Sequence, residues 1–206
     1  MKIKTYLTSL ILLFMLAACN TESPVKLYVY ENEPEFTWGY GLFYGKYYSN
    51  YNQNNNVLSL NLFTSGLTLN ENNELTGTGQ YLILEDVFVS PQDSMLAAGT
   101  YTLAESGEPF TFFSGSKFED NNEEVPSGAY MYYVEADESK SKIVYIKEGT
   151  FTVSRQGAEN YSIDIQFRTN EKTEIKSHFN VPLDFYDLSA EPPAANVKRF
   201  LKIKKR

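Results

Sequence analysis

The chain reads as an all-β protein, an antiparallel sandwich or barrel-like domain of roughly a dozen strands. Three observations predict this. Apolar and polar residues alternate with a period of two, most plainly where Tyr161, Ile163, Ile165 and Phe167 interleave with Ser162, Asp164, Gln166 and Arg168. The 16 Tyr and 14 Phe stand among many Asn residues and 12 Gly, a composition suited to sheets joined by tight turns. Beyond the N-terminal segment, no stretch sustains a helical period with capping residues.

The elements follow in order. Lys2 and Lys4 make a positive start, and Leu7 to Leu16 is apolar apart from Thr8 and Ser9. A run of about ten residues is half of what a bilayer-spanning helix needs. Its length and flanks predict a cleaved signal peptide over residues 1–18. Leu16-Ala17-Ala18-Cys19 resembles the bacterial lipobox, in which the peptidase cuts before a cysteine already carrying diacylglycerol. Small residues fit the peptidase, and the thiol is the nucleophile that takes the lipid. Cys19 is the chain's single cysteine. The resemblance implies an outer-membrane anchor at Cys19, with residues 19–25 as lipidated cysteine and tether. Each buried lipid methylene contributes roughly 0.8 kcal/mol, so two or more chains hold stably.

Residues 26–206 then form one domain, long enough to bury a sizeable core without disulfides. Strands are expected at Lys26–Tyr30, Trp38–Tyr48, Leu58–Leu62, Gln80–Val89, Thr100–Leu103, Phe110–Phe113, Ala129–Val134, Lys142–Ile146, Phe151–Val153, Tyr161–Phe167, Thr173–Asn180 and Val197–Ile203. Asn70-Glu71-Asn72-Asn73, Arg155 to Asn160 and Asn170-Glu171-Lys172 read as hairpin tips. Ser90 to Ser94 is a loop because Pro91 cannot join a ladder. Glu119–Pro126 reads as an acidic loop and Glu191 to Ala195 as an extended connector.

The formal net charge is −8. Losing Lys2 and Lys4 with the signal peptide makes the rest more acidic still, and the last ten residues, which include the final expected strand, carry six basic side chains and no acid. An acidic body of this kind repels phosphate backbones, which excludes nucleic acid as a partner.

Chemistry has few carriers. His178 is the single histidine, and on its strand it shares the wet face with Glu174 and Lys176, opposite Ile175 and Phe179. A solvated strand histidine is the expectation there, not a catalytic base. No metal site of the His and Cys type is possible by count, and no cofactor motif appears. The acidic run from Glu119 to Glu124 lacks the ligand spacing of a calcium loop. Glu85-Asp86 interrupts an apolar strand; it marks either a carboxylate turned inward, with a raised pKa, or a bulge. A carboxylate-based hydrolase rests on such a pair facing a substrate.

The aromatic cluster is the most suggestive feature. Trp38, Tyr40, Tyr44 and Tyr48 are the candidate binding residues, with Tyr40, Tyr44 and Tyr48 expected on one strand face beside Leu42 and Lys46. Phe43 and Tyr47 are expected on the other face with Gly39, Gly41 and Gly45, where glycines leave room for rings to lie over the backbone. Tyrosine offers a flat apolar body with a polar tip, which suits stacking on sugars or on a protein partner.

Gly99-Thr100-Tyr101-Thr102-Leu103 followed by Ser106-Gly107-Glu108-Pro109-Phe110, and Gly149-Thr150-Phe151-Thr152-Val153 followed by Tyr161-Ser162-Ile163-Asp164-Ile165, together with the lipobox, resemble exported lipoproteins of Bacteroides-type bacteria. That resemblance implies a sandwich or barrel-like domain and carries over no catalytic residue. It favours a non-catalytic binding module for a glycan or protein, with a fimbria-like assembly subunit as the alternative. Asp93-Ser94-Met95 resembles the Asp-Ser/Thr-aliphatic acceptor for O-glycosylation in such bacteria, which implies modification at Ser94.

Overall fold

The computed structural model describes residues 29–190, apart from residues 73, 121–122, 156 and 158–159. The signal peptide, Cys19 and its tether, the Glu191 to Ala195 connector and the basic strand expected at Val197–Ile203 lie outside the described residues, as does most of the strand expected at Lys26–Tyr30.

Within them the regular structure is strand, apart from two short 3-10 turns. The main ladder is an antiparallel meander of β1 (Phe36–Gly45), β2 (Asn56–Thr64), β5 (Gly79–Val89), β10 (Ala129–Val134), β11 (Lys142–Arg155), β12 (Asn160–Thr169) and β13 (Glu174–Pro182). Two small hairpins branch from it, β3 (Leu67–Leu69) with β4 (Leu75–Gly77) and β8 (Ser116–Asp120) with β9 (Glu123–Ser127). β6 (Gly99–Leu103) and β7 (Thr111–Phe112) pair with each other in parallel and fill the split between the far ends of β5 and β11. β14 (Asp184–Asp187) runs parallel to β1 at its free edge. The sheet is therefore mostly antiparallel, with two parallel contacts.

The sheet curls on itself. The backbone N–H of Lys176 on β13 donates to the carbonyl of Asn32 at 2.9 Å, and Ser177 Oγ donates to the carbonyl of Pro34 at 2.6 Å. The last long strand thus meets the run leading into the first, which gives a barrel-like closure and covers an edge that would otherwise be open to other chains.

Alternation explains the core. Leu58, Leu60 and Leu62 of β2, Leu82 and Leu84 of β5, Met131 of β10, Ile163, Ile165 and Phe167 of β12, and Ile175 and Phe179 of β13 all point into one cluster and are buried. Each fully buried side chain of this size contributes about 1.5–3 kcal/mol. Tyr101 on β6 stacks on Phe151 of β11 with ring centroids 4.6 Å apart, and its hydroxyl donates to the carbonyl of Ala97 at 3.1 Å. Gly41 faces inward, and the Phe185 ring lies directly over it; a Cβ there would sit 2.1 Å from that ring.

Three expectations need correction. Glu119–Pro126 is not a loop: it lies across the β8–β9 hairpin, where Lys117 pairs with Glu124 across the strands and Phe118 sits opposite Val125. Cross-strand pairing of opposite charges supports strands that composition alone assigns to solvent. Lys142–Ile146 and Phe151–Val153 are one bent strand, β11, whose first half pairs with β10 and second half with β6. The strand expected at Trp38–Tyr48 stops at Gly45, whose φ of 58° turns the chain into a short 3-10 turn at Ser49–Tyr51.

Candidate functional site

The outer face of β1, β2, β5 and β10 carries the site. In register, Tyr40 stands opposite Asn61, Asn61 opposite Ile83, and Ile83 opposite Tyr130, so these four form one row across four strands. The row lines a cavity of about 260 Å³ together with Leu42, Tyr44, Tyr47, Ser59 and Tyr81. Two of the four residues singled out by sequence, Tyr40 and Tyr44, are in its wall.

A bulge brings in the acids. Leu58 pairs with Val87 and Leu60 with Leu84, so the single residue Ser59 faces both Glu85 and Asp86. Leu84 and Val87 both point into the core, which leaves both acids on the outer face, lining the same cavity. Under unbroken alternation Asp86 would instead turn inward among the leucines. Of the two readings open for Glu85-Asp86, the bulge holds, and it also produces a buried carboxylate.

Asp86 is 7% exposed and accepts a hydrogen bond from the Tyr48 hydroxyl at 2.6 Å. Burial pushes its carboxyl up to about 6, opposed by the Tyr48 bond and helped by the nearby charge of Glu105. Glu85 Oε2 accepts the backbone N–H of Gly128 at 2.9 Å. On the floor, Tyr81 donates to Asn61 Oδ1 at 2.6 Å, and Asn61 Nδ2 donates to Ser59 Oγ at 3.1 Å. Burial, with Tyr40 close by, raises the Tyr81 phenol far above its ordinary value; Tyr130 is raised by burial too, with Tyr145 and Tyr40 contributing. These phenols stay neutral, and the Tyr81 O–H is committed to Asn61.

The other two candidates are used elsewhere. Trp38 stacks on Phe63 at 3.9 Å and donates from its indole N–H to the carbonyl of Leu67 at 2.9 Å; Phe63 stacks in turn on Tyr81 at 4.1 Å. This pile of rings buttresses one wall. Tyr48 does not share the strand face of Tyr40 and Tyr44: beyond Gly45 it is 2% exposed and packs in a second small core with Val57, Phe88 and Phe113. Tyr47, expected on the opposite face, instead lines the cavity, because the same turn reverses the alternation. Sequence reasoning also missed Tyr81, Tyr186 and the floor. Tyr186 on β14 is 55% exposed and meets the Tyr40 ring edge-on at 6.2 Å, extending the aromatic wall to the rim. Ser59 and Asn61 alternate with Leu58, Leu60 and Leu62, and all nine residues of β2 are buried; polar residues in so buried a strand are the signal of a floor.

His178 is exposed on β13, as are Glu174 and Lys176, and its Nδ1 lies 2.7 Å from Asp164 Oδ1. The neighbouring Ser177 is turned to the other side of the strand, where it is bonded to Pro34 and not to His178. Ser94 is exposed in a loop held by Asn56, whose Nδ2 donates to the carbonyls of Pro91 and Asp93. Among the described residues no three His, Cys, Asp or Glu side chains gather as a metal site, and no helix is long and apolar enough to cross a membrane.

Comparison of the chain with protein-family models, with curated proteins and with solved structures gave no match.

Proposed function

We propose that the chain is an outer-membrane lipoprotein, anchored through Cys19, whose β domain binds a glycan in the tyrosine-walled cavity without transforming it. The observation that carries the reading is the cavity's construction. Its lining combines the rings of Tyr40, Tyr44 and Tyr130 with the polar side chains of Ser59, Asn61 and Glu85. Sugars present apolar C–H faces ringed by hydroxyls, and such a site answers both. The walls stand on hydrogen-bonded strands and a stacked Trp38–Phe63–Tyr81 buttress, so little ordering is left to be done on binding. Glycan-array binding by the full chain tests this: Tyr40→Ala plus Tyr44→Ala should abolish it, while Lys176→Ala on the far face should leave it intact. Binding that survives the double substitution overturns the site.

Glu85 and Asp86 in one cavity favour a second reading, a carboxylate hydrolase. Glycoside hydrolysis places its two carboxylates on either side of the scissile bond. These two are consecutive residues of one bulge and approach a ligand from the same side. Turnover of aryl glycosides that disappears in Asp86→Asn would establish the second reading over the first.

A further inference from the structure

Resting on the glycan reading, we propose that the sugar taken by the Tyr40–Tyr44–Tyr130 cavity carries an acetamido group, its carbonyl oxygen accepting from Ser59 and Asn61 and its methyl group covered by Leu42 and Ile83. The observation behind it is a surplus of hydrogen-bond donors on β2. Tyr81 donates to Asn61 Oδ1 at 2.6 Å, and Asn61 Nδ2 donates to Ser59 Oγ at 3.1 Å. A phenol and a serine hydroxyl bring one hydrogen each, and a carboxamide brings two. These bonds therefore leave a second amide hydrogen on Asn61 and the hydroxyl hydrogen of Ser59. Neither side chain has a further acceptor among the described residues. Ser59 and Asn61 are 4% and 5% exposed and line the cavity, so their spare hydrogens are met by what enters it. Donors buried without an acceptor are costly, and a ligand that supplies one removes that cost.

The acceptor these donors call for is a neutral carbonyl. A carboxylate would take both hydrogens, yet it would lie beside Glu85 and Asp86, which line the same cavity. A sugar hydroxyl accepts but brings a hydrogen of its own to a pair already rich in them. An amide carbonyl offers two lone pairs and no hydrogen, and the N–H of a trans amide points away from it. The neighbouring side chains suit the rest of the group. Across the ladder Ser59 stands opposite Leu42 and Asn61 opposite Ile83, so each donor has an apolar side chain directly beside it. Side chains paired in this way are about 5 Å apart at Cβ, close enough for one small substituent to touch both. At about 260 Å³ the cavity suits one ring with its substituent and not an oligomer along its length.

The test is a glycan array printed with matched gluco, galacto and manno pairs whose members differ only in a 2-acetamido or a 2-hydroxyl group, probed with the full chain in mild detergent at pH 7.5. In at least one pair the acetamido member should bind at least tenfold more tightly. Ser59→Ala, which removes a donor and little volume, should bring that ratio below about threefold while the hydroxyl member changes little. Leu42→Ala is the second variant; it shortens the apolar cover and should weaken the acetamido members selectively. Melting curves of both show whether the sheet is intact, and the comparison within pairs on the parent needs neither. Equal binding within every pair overturns the acetamido assignment and leaves the glycan reading standing. A preference unchanged in folded Ser59→Ala overturns the seat given to the carbonyl, and the proposal with it. No signal from any glycan on the array overturns both readings.

Discussion

A single extra residue in β5 decides what the outer face of this barrel can do. Had Leu84 been followed by one residue before Val87, the strand would carry one polar group outward and no buried acid. The bulge instead places Asp86 beneath Tyr48 and against the cavity, where burial pushes its carboxyl up to about 6. The native state therefore holds a proton that the unfolded chain releases near pH 4. Between those values the folded form binds more protons than the unfolded form, so stability contributed by the protonated group falls as pH rises from about 4 to about 6. At neutral pH the ionised Asp86 costs about 3 kcal/mol, taking 1.36 kcal/mol per pKa unit. Asp86→Asn removes the titration and retains an acceptor for Tyr48. It should melt at a higher temperature than the parent at pH 7.5 and at nearly the same temperature at pH 4. Melting curves across that range check this; an identical pH slope in the two proteins would show that Asp86 is not the group responsible. The groups that face it, Tyr48, Glu85 and Glu105, are left in place by the substitution.

At the scale of elements, most strands could be read from alternation because one side of each faces the barrel core. β12 is the plainest case, with Tyr161, Ile163, Ile165 and Phe167 buried and the residues between them exposed or half-buried. What alternation did not reveal is where it breaks. Tyr48 was placed with Tyr40 and Tyr44 by counting in twos past Gly45, and the positive φ of that glycine ends the count. The β8–β9 hairpin was hidden by its charges, which pair across the strands. The bend in β11 was hidden because it falls between two stretches that each look like a complete strand. Gly149 sits at that bend with φ of 125°, and a Cβ there would lie 2.1 Å from the carbonyl oxygen of Gln166 on β12. Gly149→Ala should cost about 1–3 kcal/mol from the backbone conformation alone, with the carbonyl contact adding to it. Gly157, with φ of 96° and open space around it, separates the two causes. Urea unfolding should show Gly157→Ala losing clearly less than Gly149→Ala. Equal losses would mean that the carbonyl contact at the bend relaxes freely.

For the whole molecule, the cavity and the anchor make different demands. The described domain contains no cysteine, so its closure depends on the ladder and on contacts such as Ser177 to Pro34, not on a covalent staple. Its melting temperature should be the same with and without reductant. The proposed anchor, by contrast, rests on one atom, the sulfur of Cys19, and on the lipobox resemblance around it. Ahead of the basic C-terminal run the body is acidic and gives little electrostatic attraction to an anionic membrane, so the proposed lipid would carry the attachment. Cys19→Ser should therefore move the protein from the membrane pellet to the soluble fraction and remove the lipid from its intact mass. The same soluble variant should still bind the ligand of the parent, because the described lining of the cavity comes from residues between 40 and 130. A Cys19→Ser protein that remains in the pellet and extracts only with detergent would overturn the anchor while leaving the site untouched.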